Sequence, residues 1–105
     1  MVEIIHHAPV VTACLCGEID HHSAAEMREK IDAAIAENQP SLLVLDFKNV
    51  QFMDSSGIGL VMGRYKAVSA VGGELTIVNT SPHIRKVLRL AGMERLAKIG
   101  VEEKR

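Results

Sequence analysis

Residues 52–60 read Phe-Met-Asp-Ser-Ser-Gly-Ile-Gly-Leu, so an acid, two hydroxyls and two glycines share one short stretch. The stretch follows an apolar run, Leu42 to Phe47, and opens a segment of helical period that extends to about Val71. It therefore lies at a helix start, where backbone N–H groups lack partners and negative charge is welcome. One acceptor, Asp54 or Ser55, is enough to cap such a helix. A second serine followed by Gly-x-Gly exceeds that need. Gly57 and Gly59 remove side chains beside a hydroxyl, which lets another molecule approach.

Two chemistries follow: a serine that attacks, or a serine that receives a group. The first lacks support. The surroundings are not a Gly-x-Ser-x-Gly elbow, and nothing places a histidine base near Ser56. Asp46 reads as a hydrogen-bonding residue at the end of its strand. The spacing of Gly57, Gly59 and Gly63 departs from the dinucleotide fingerprint, and the next strand ends in Asn79 without an acid for a ribose. There is no P-loop. His6-His7 and His21-His22 are adjacent pairs with no metal-ligand spacing, so no metal site is expected. A serine that accepts phosphate remains. At a helix N-terminus the added charge meets a favourable dipole, so phosphorylation changes what the surface can touch without unfolding it.

The elements around this stretch can be read in order. Val2–His6 and Val10–Cys16 read as an antiparallel hairpin turned at Ala8-Pro9, with Gly17 ending the second strand. Gly17 to His22 reads as a loop. Ser23 with Glu26 reads as a capping box. The helix after it carries Ala24, Met27, Ile31, Ala34 and Ile35 on one stripe and stops at Asn38-Gln39-Pro40. Leu42–Phe47 is apolar on both faces, as a central strand is. The helix after Ser56 turns Ile58, Val61, Met62, Tyr65 and Val68 to one side and ends at Gly72-Gly73. Glu74–Val78 is another strand. Ser81-Pro82 caps a third helix striped by Ile84, Val87, Leu88 and Ala91. Leu96–Val101 reads as an edge strand or a helical turn, and the final Glu-Glu-Lys-Arg as frayed. The order β-β-α-β-α-β-α implies an α/β fold with a small mixed sheet, parallel from the second strand onward.

Length and composition agree with one domain. The chain has 105 residues, 48% of them hydrophobic, with no Trp, one Tyr and two Phe, so its core is aliphatic. A formal net charge of −1 argues against non-specific nucleic-acid binding. Arg85, Lys86 and Arg89 share a helix face that is either simply solvated or an anion contact. No apolar run reaches the ~18 residues of a membrane helix, and the start has no signal-peptide pattern. Cys14 and Cys16 point to one face of a strand, are badly spaced for a disulfide, and read as buried thiols.

Gly17-Glu18-Ile19-Asp20-His21-His22 and Phe52-Met53-Asp54-Ser55-Ser56-Gly57-Ile58-Gly59, with Gly63-Arg64-Tyr65-Lys66, resemble the STAS-domain anti-sigma factor antagonists. The resemblance covers nearly the whole chain. It implies a single STAS domain over residues 1–105, with a mixed sheet of four to five strands under covering helices. It also implies a cytoplasmic regulatory protein of spore-forming bacteria, not an enzyme, monomeric when free. In that family the unphosphorylated antagonist binds an anti-sigma factor that is also a serine kinase, and a sporulation sigma factor is released. Phosphorylation inactivates the antagonist, and a PP2C-type serine phosphatase restores it. ATP and Mg belong to the kinase, so this chain needs no cofactor and touches neither nucleic acid nor membrane.

By the motif, the acceptor is Ser56, with Ser55 as the alternative. The implied partner surface comprises Asp20, His21, Asp54, Ser55, Ser56, Gly57, Ile58, Gly59 and Arg64. Asp20 matches a family residue important for the kinase partnership, and Asp20 and Asp54 are expected to meet basic groups there. The other reading the family allows is a STAS scaffold module of a different bacterial signalling complex.

Overall fold

A computed structural model describes residues 1–100. The elements are β1 (Val2–His7), β2 (Val10–Ile19), α1 (His21–Asn38), β3 (Leu42–Met53), α2 (Ser55–Ala70), β4 (Glu74–Val78) and α3 (Pro82–Leu90). A 3-10 turn, Met93–Arg95, and a short strand β5 (Lys98–Ile99) follow. The strands lie in sequence order, β1-β2-β3-β4-β5, in one sheet. β1 pairs antiparallel with β2, and every later pair is parallel.

This arrangement follows from the hydrophobic pattern. Val11, Ala13 and Leu15 of β2, Leu43, Leu45 and Phe47 of β3, and Leu75 and Ile77 of β4 alternate toward one side. There they meet Met27, Ile31 and Ile35 of α1, Val61 and Val68 of α2, and Ile84 and Leu88 of α3 in a single core. Sequential parallel strands joined by right-handed crossovers place all three helices on that side. On the opposite side Val44 and Val78 are buried but lie outside the main core.

Several elements differ from the sequence reading. β2 does not stop at Gly17. It runs on to Ile19, because Gly17 adopts φ +90° and carries the strand through an irregular register against β3. β3 likewise continues six residues past Phe47, to Met53. Its pairing advances from Asp46 to Asn49 while β2 advances from Cys14 to Cys16. Asp46 is therefore not a strand end. Its carboxylate sits at the irregularity, accepting from the Lys48 amide at 2.9 Å and from Asn79 Nδ2 at 3.0 Å.

Because β2 is longer, α1 starts earlier, and its cap is Asp20 with Ser23 at the third helical position, not Ser23 with Glu26. The cysteines are not both buried: Cys14 is half-buried and Cys16 exposed. Within Leu96–Val101 the edge-strand alternative forms, as β5, and a 3-10 turn that the sequence reading did not include precedes it. Val101 and the final Glu-Glu-Lys-Arg lie outside the described residues.

Candidate functional site

The long ends of β2 and β3 deliver two helix starts side by side. Ile19 pairs with Met53, and the Asp54 amide donates to the Ile19 carbonyl at 3.0 Å. Each strand then passes through one aspartate into a helix. Asp20 has extended backbone angles, its carboxylate accepts from the Ser23 amide at 2.9 Å, and its own amide donates to Ser23 Oγ at 3.0 Å. Asp54 is also extended and accepts from the Ser56 amide at 2.8 Å. Each thereby satisfies amides that the first helical turn leaves open. The Ser23 amide, and secondarily its hydroxyl, hold the Asp20 carboxyl below the usual carboxylate range against a smaller opposing effect of burial.

Ser55 and Ser56 are the first two residues of α2, and they face differently. Ser55 is exposed. Ser56 is half-buried and lines a groove of about 480 Å³ between α1 and α2. α2 contributes Ser56, Gly59 and Leu60; α1 contributes His21, Ala24, Ala25 and Arg28. These positions recur at helical spacings of three and four, so one face of each helix builds one wall. Ala24, Ala25 and Gly59 are small, which keeps the groove open. While Asp54 holds the Ser56 amide, no described residue bonds the Ser56 hydroxyl. A nucleophilic oxygen thus stands at a groove mouth with a guanidinium, Arg28, in the facing wall.

The two glycines have separate jobs. A Cβ at Gly59 would meet nothing within 4 Å, so that position is open to an approaching molecule. A Cβ at Gly57 would collide with Met53 and touch Ile19. Gly57 is buried, and its missing side chain serves the packing of α2 on β3, not a partner's approach. Ile58 is half-buried and packs on the core.

Arg64 is a correction. Expected at the partner surface, it is only 5% exposed. Its Nε lies 2.9 Å from Asp32 Oδ1 on α1, and a second guanidinium nitrogen donates to Asp32 Oδ2 at 3.4 Å. Burial pulls the Arg64 guanidinium below its ordinary pKa, and the Asp32 charge opposes that. The residue joins α2 to α1 and does not line the groove.

Sequence reasoning missed Arg28, Ala24 and Ala25, which oppose Ser56, although their spacing from His21 carried the signal. It also missed Phe52. Strand alternation turns Met53 inward and leaves Phe52 54% exposed beside the α2 start. Among the described residues no group of three His, Cys, Asp or Glu is placed to hold a metal ion. No helix of the described residues is long and apolar enough to cross a membrane.

The sequence model of the STAS domain matches residues 1–104. The chain belongs to the STAS-domain family. It is 39% identical over 98 residues to the anti-sigma F factor antagonist of Paenibacillus polymyxa, covering 93% of this chain and 84% of that one. Its fold superposes on the unphosphorylated form of the anti-sigma factor antagonist SpoIIAA with a TM-score of 0.82. That match has 34% identity and covers 94% of this chain and 87% of the other. The phosphorylated form of the Bacillus cell fate determinant SpoIIAA matches with a TM-score of 0.75 and 34% identity, covering 94% and 90%. The STAS fold, with its mixed sheet and three helices, is the fold that the resemblance implied.

Proposed function

We propose that this STAS protein is an anti-sigma factor antagonist switched by phosphorylation of Ser56. The observation that carries the reading is the Ser56 hydroxyl. It is half-buried at the mouth of the α1–α2 groove, on the second residue of a helix, and unbonded by any described residue. The curated relative's name and the phosphorylated form of SpoIIAA support it. Because Ser55 does not line the groove, the geometry favours Ser56 over Ser55 as acceptor.

In the proposed cycle the unphosphorylated chain docks on a cytoplasmic anti-sigma factor that is also a serine kinase. A sporulation sigma factor leaves. The kinase holds ATP and Mg. Ser56 Oγ attacks the γ-phosphorus, the new O–P bond forms as the bond to ADP breaks, and the hydroxyl proton passes to a base on the kinase. The open Gly59 position lets the partner and its nucleotide come close. This chain contributes the acceptor and its positioning, with no catalysis of its own, and a PP2C-type phosphatase reverses the modification.

Phosphorylation adds roughly −1.5 to −2 charges to a surface fitted for a neutral hydroxyl, beside the Asp54 and Asp20 carboxylates. A penalty of about 3 kcal/mol lowers affinity more than a hundredfold. The test is to incubate the chain with its cognate anti-sigma kinase and ATP, then map added phosphate by mass spectrometry. Phosphate on Ser56 with loss of the complex is expected, and Ser56→Ala should bind while staying unlabelled. Label persisting in that variant moves the acceptor to Ser55. A stable complex that never acquires phosphate refutes the switch and leaves a STAS scaffold module.

A further inference from the structure

We propose a second, independent site: a cavity beside α3 that binds a small phosphate monoester. The cavity has a volume of about 500 Å³ and is lined by Thr80, Pro82, Arg85, Lys86 and Arg89. It shares no residue with the groove at Ser56 and does not depend on that residue's role.

The site is marked by polar atoms without partners. Thr80 is 8% exposed, and its buried hydroxyl oxygen has no hydrogen-bond partner. Arg85 Nε is likewise buried and unsatisfied. Such groups cost free energy unless something completes them, and two of them on one cavity point to a ligand oxygen. The charges define which ligand. Arg89 Nε lies 3.3 Å from Glu94 Oε1, which offsets one cation. Arg85 and Lys86 are ion-paired to no described residue, leaving about two positive charges to match a phosphate dianion.

Thr80 follows the carboxyl end of β4, and α3 begins directly after it with its N-cap at Ser81. A bare phosphate would leave most of the volume empty. The Pro82 ring and the aliphatic stems of the cations offer an apolar wall for the body of an ester.

The test uses the full chain, ¹⁵N-labelled, titrated with inorganic phosphate and then with glycerol 3-phosphate at ionic strength held constant with chloride. The Arg85 Nε and Thr80 amide signals should shift and saturate, with glycerol 3-phosphate binding the tighter of the two. Binding should strengthen as pH rises through about 6, where a phosphate monoester takes its second charge. Arg85→Gln and Thr80→Val should each weaken affinity about tenfold, while Lys30→Gln on α1 should not. Should Thr80→Val fail to fold, Arg85→Gln and Lys86→Gln decide the matter. Shifts that never saturate, or equal weakening by Lys30→Gln, overturn the site. Binding indifferent to pH overturns the phosphate assignment, and preference for inorganic phosphate overturns the ester.

Discussion

Arg64 Nε on α2 stands 2.9 Å from Asp32 Oδ1 on α1, and this ion pair joins the helices whose first turns frame Ser56. The pair is asymmetric: the Arg64 side chain is 6% exposed and that of Asp32 43%. Removing Asp32 therefore leaves a buried guanidinium without its counter-charge. Asp32→Ala should lower unfolding free energy by about 1–3 kcal/mol, below the cost of breaking a fully buried pair. Urea unfolding measures it. Wild-type stability in Asp32→Ala would mean that Arg64 finds water or another acceptor.

The glycines should respond in opposite directions. Helix propensity alone favours alanine over glycine by about 1 kcal/mol. At Gly59 the added methyl meets nothing, so Gly59→Ala should gain up to about that much stability while crowding the groove and weakening the partner complex. At Gly57 the methyl collides with buried Met53, and overpacking of about 1–3 kcal/mol should more than cancel the propensity gain. Equal melting temperatures for the two variants would contradict this division.

Asp20 carries a structural duty that its loop reading did not include. Asp20→Ala should lower the melting temperature as well as affinity, because the first turn of α1 loses its cap. The pH dependence has a definite sign. The folded carboxyl titrates below its ordinary value of 3.8, so the cap's contribution is complete above that pH and is lost as pH falls through the lower, folded value. Melting curves of wild type and Asp20→Asn should differ in their slope against pH only in that acid window. A difference confined to neutral pH would remove the assignment.

Phe52 should act in binding alone. It is exposed next to the α2 start, with no place in the core. Phe52→Ala should leave thermal stability unchanged and weaken the complex with the anti-sigma factor by about tenfold to a hundredfold, as an aromatic anchor does. Calorimetry reads the affinity; an unchanged value would place the contact elsewhere on the helix pair.

Local signals in the chain were sufficient for much of the architecture. The apolar, β-branched start of Val10–Cys16, the stripe Met27-Ile31-Ala34-Ile35 and the Ser81-Pro82 helix start each state their element within one turn or a few residues, because propensities, caps and periods are short-range physics. The Asp-Ser-Ser-Gly stretch also announced a helix start with a hydroxyl to spare. Strand ends were less legible. Gly17 looks like a stop until pairing with β3 satisfies its backbone and holds it at positive φ.

What the sequence determined, then, was the order of elements, the parallel sheet and the position of Ser56 at a helix start. The tertiary structure alone decided what surrounds that serine. Arg64 and Asp32 are 32 positions apart, and no local pattern distinguishes an arginine that turns inward to an ion pair from one that faces solvent. Gly57 and Gly59 are equivalent in composition, yet one abuts Met53 and the other opens on the groove. Arg28 meets the Ser56 groove only because α1 and α2 pack together. Contacts between distant segments depend on how whole faces bury against one another, and that is settled only when the core closes.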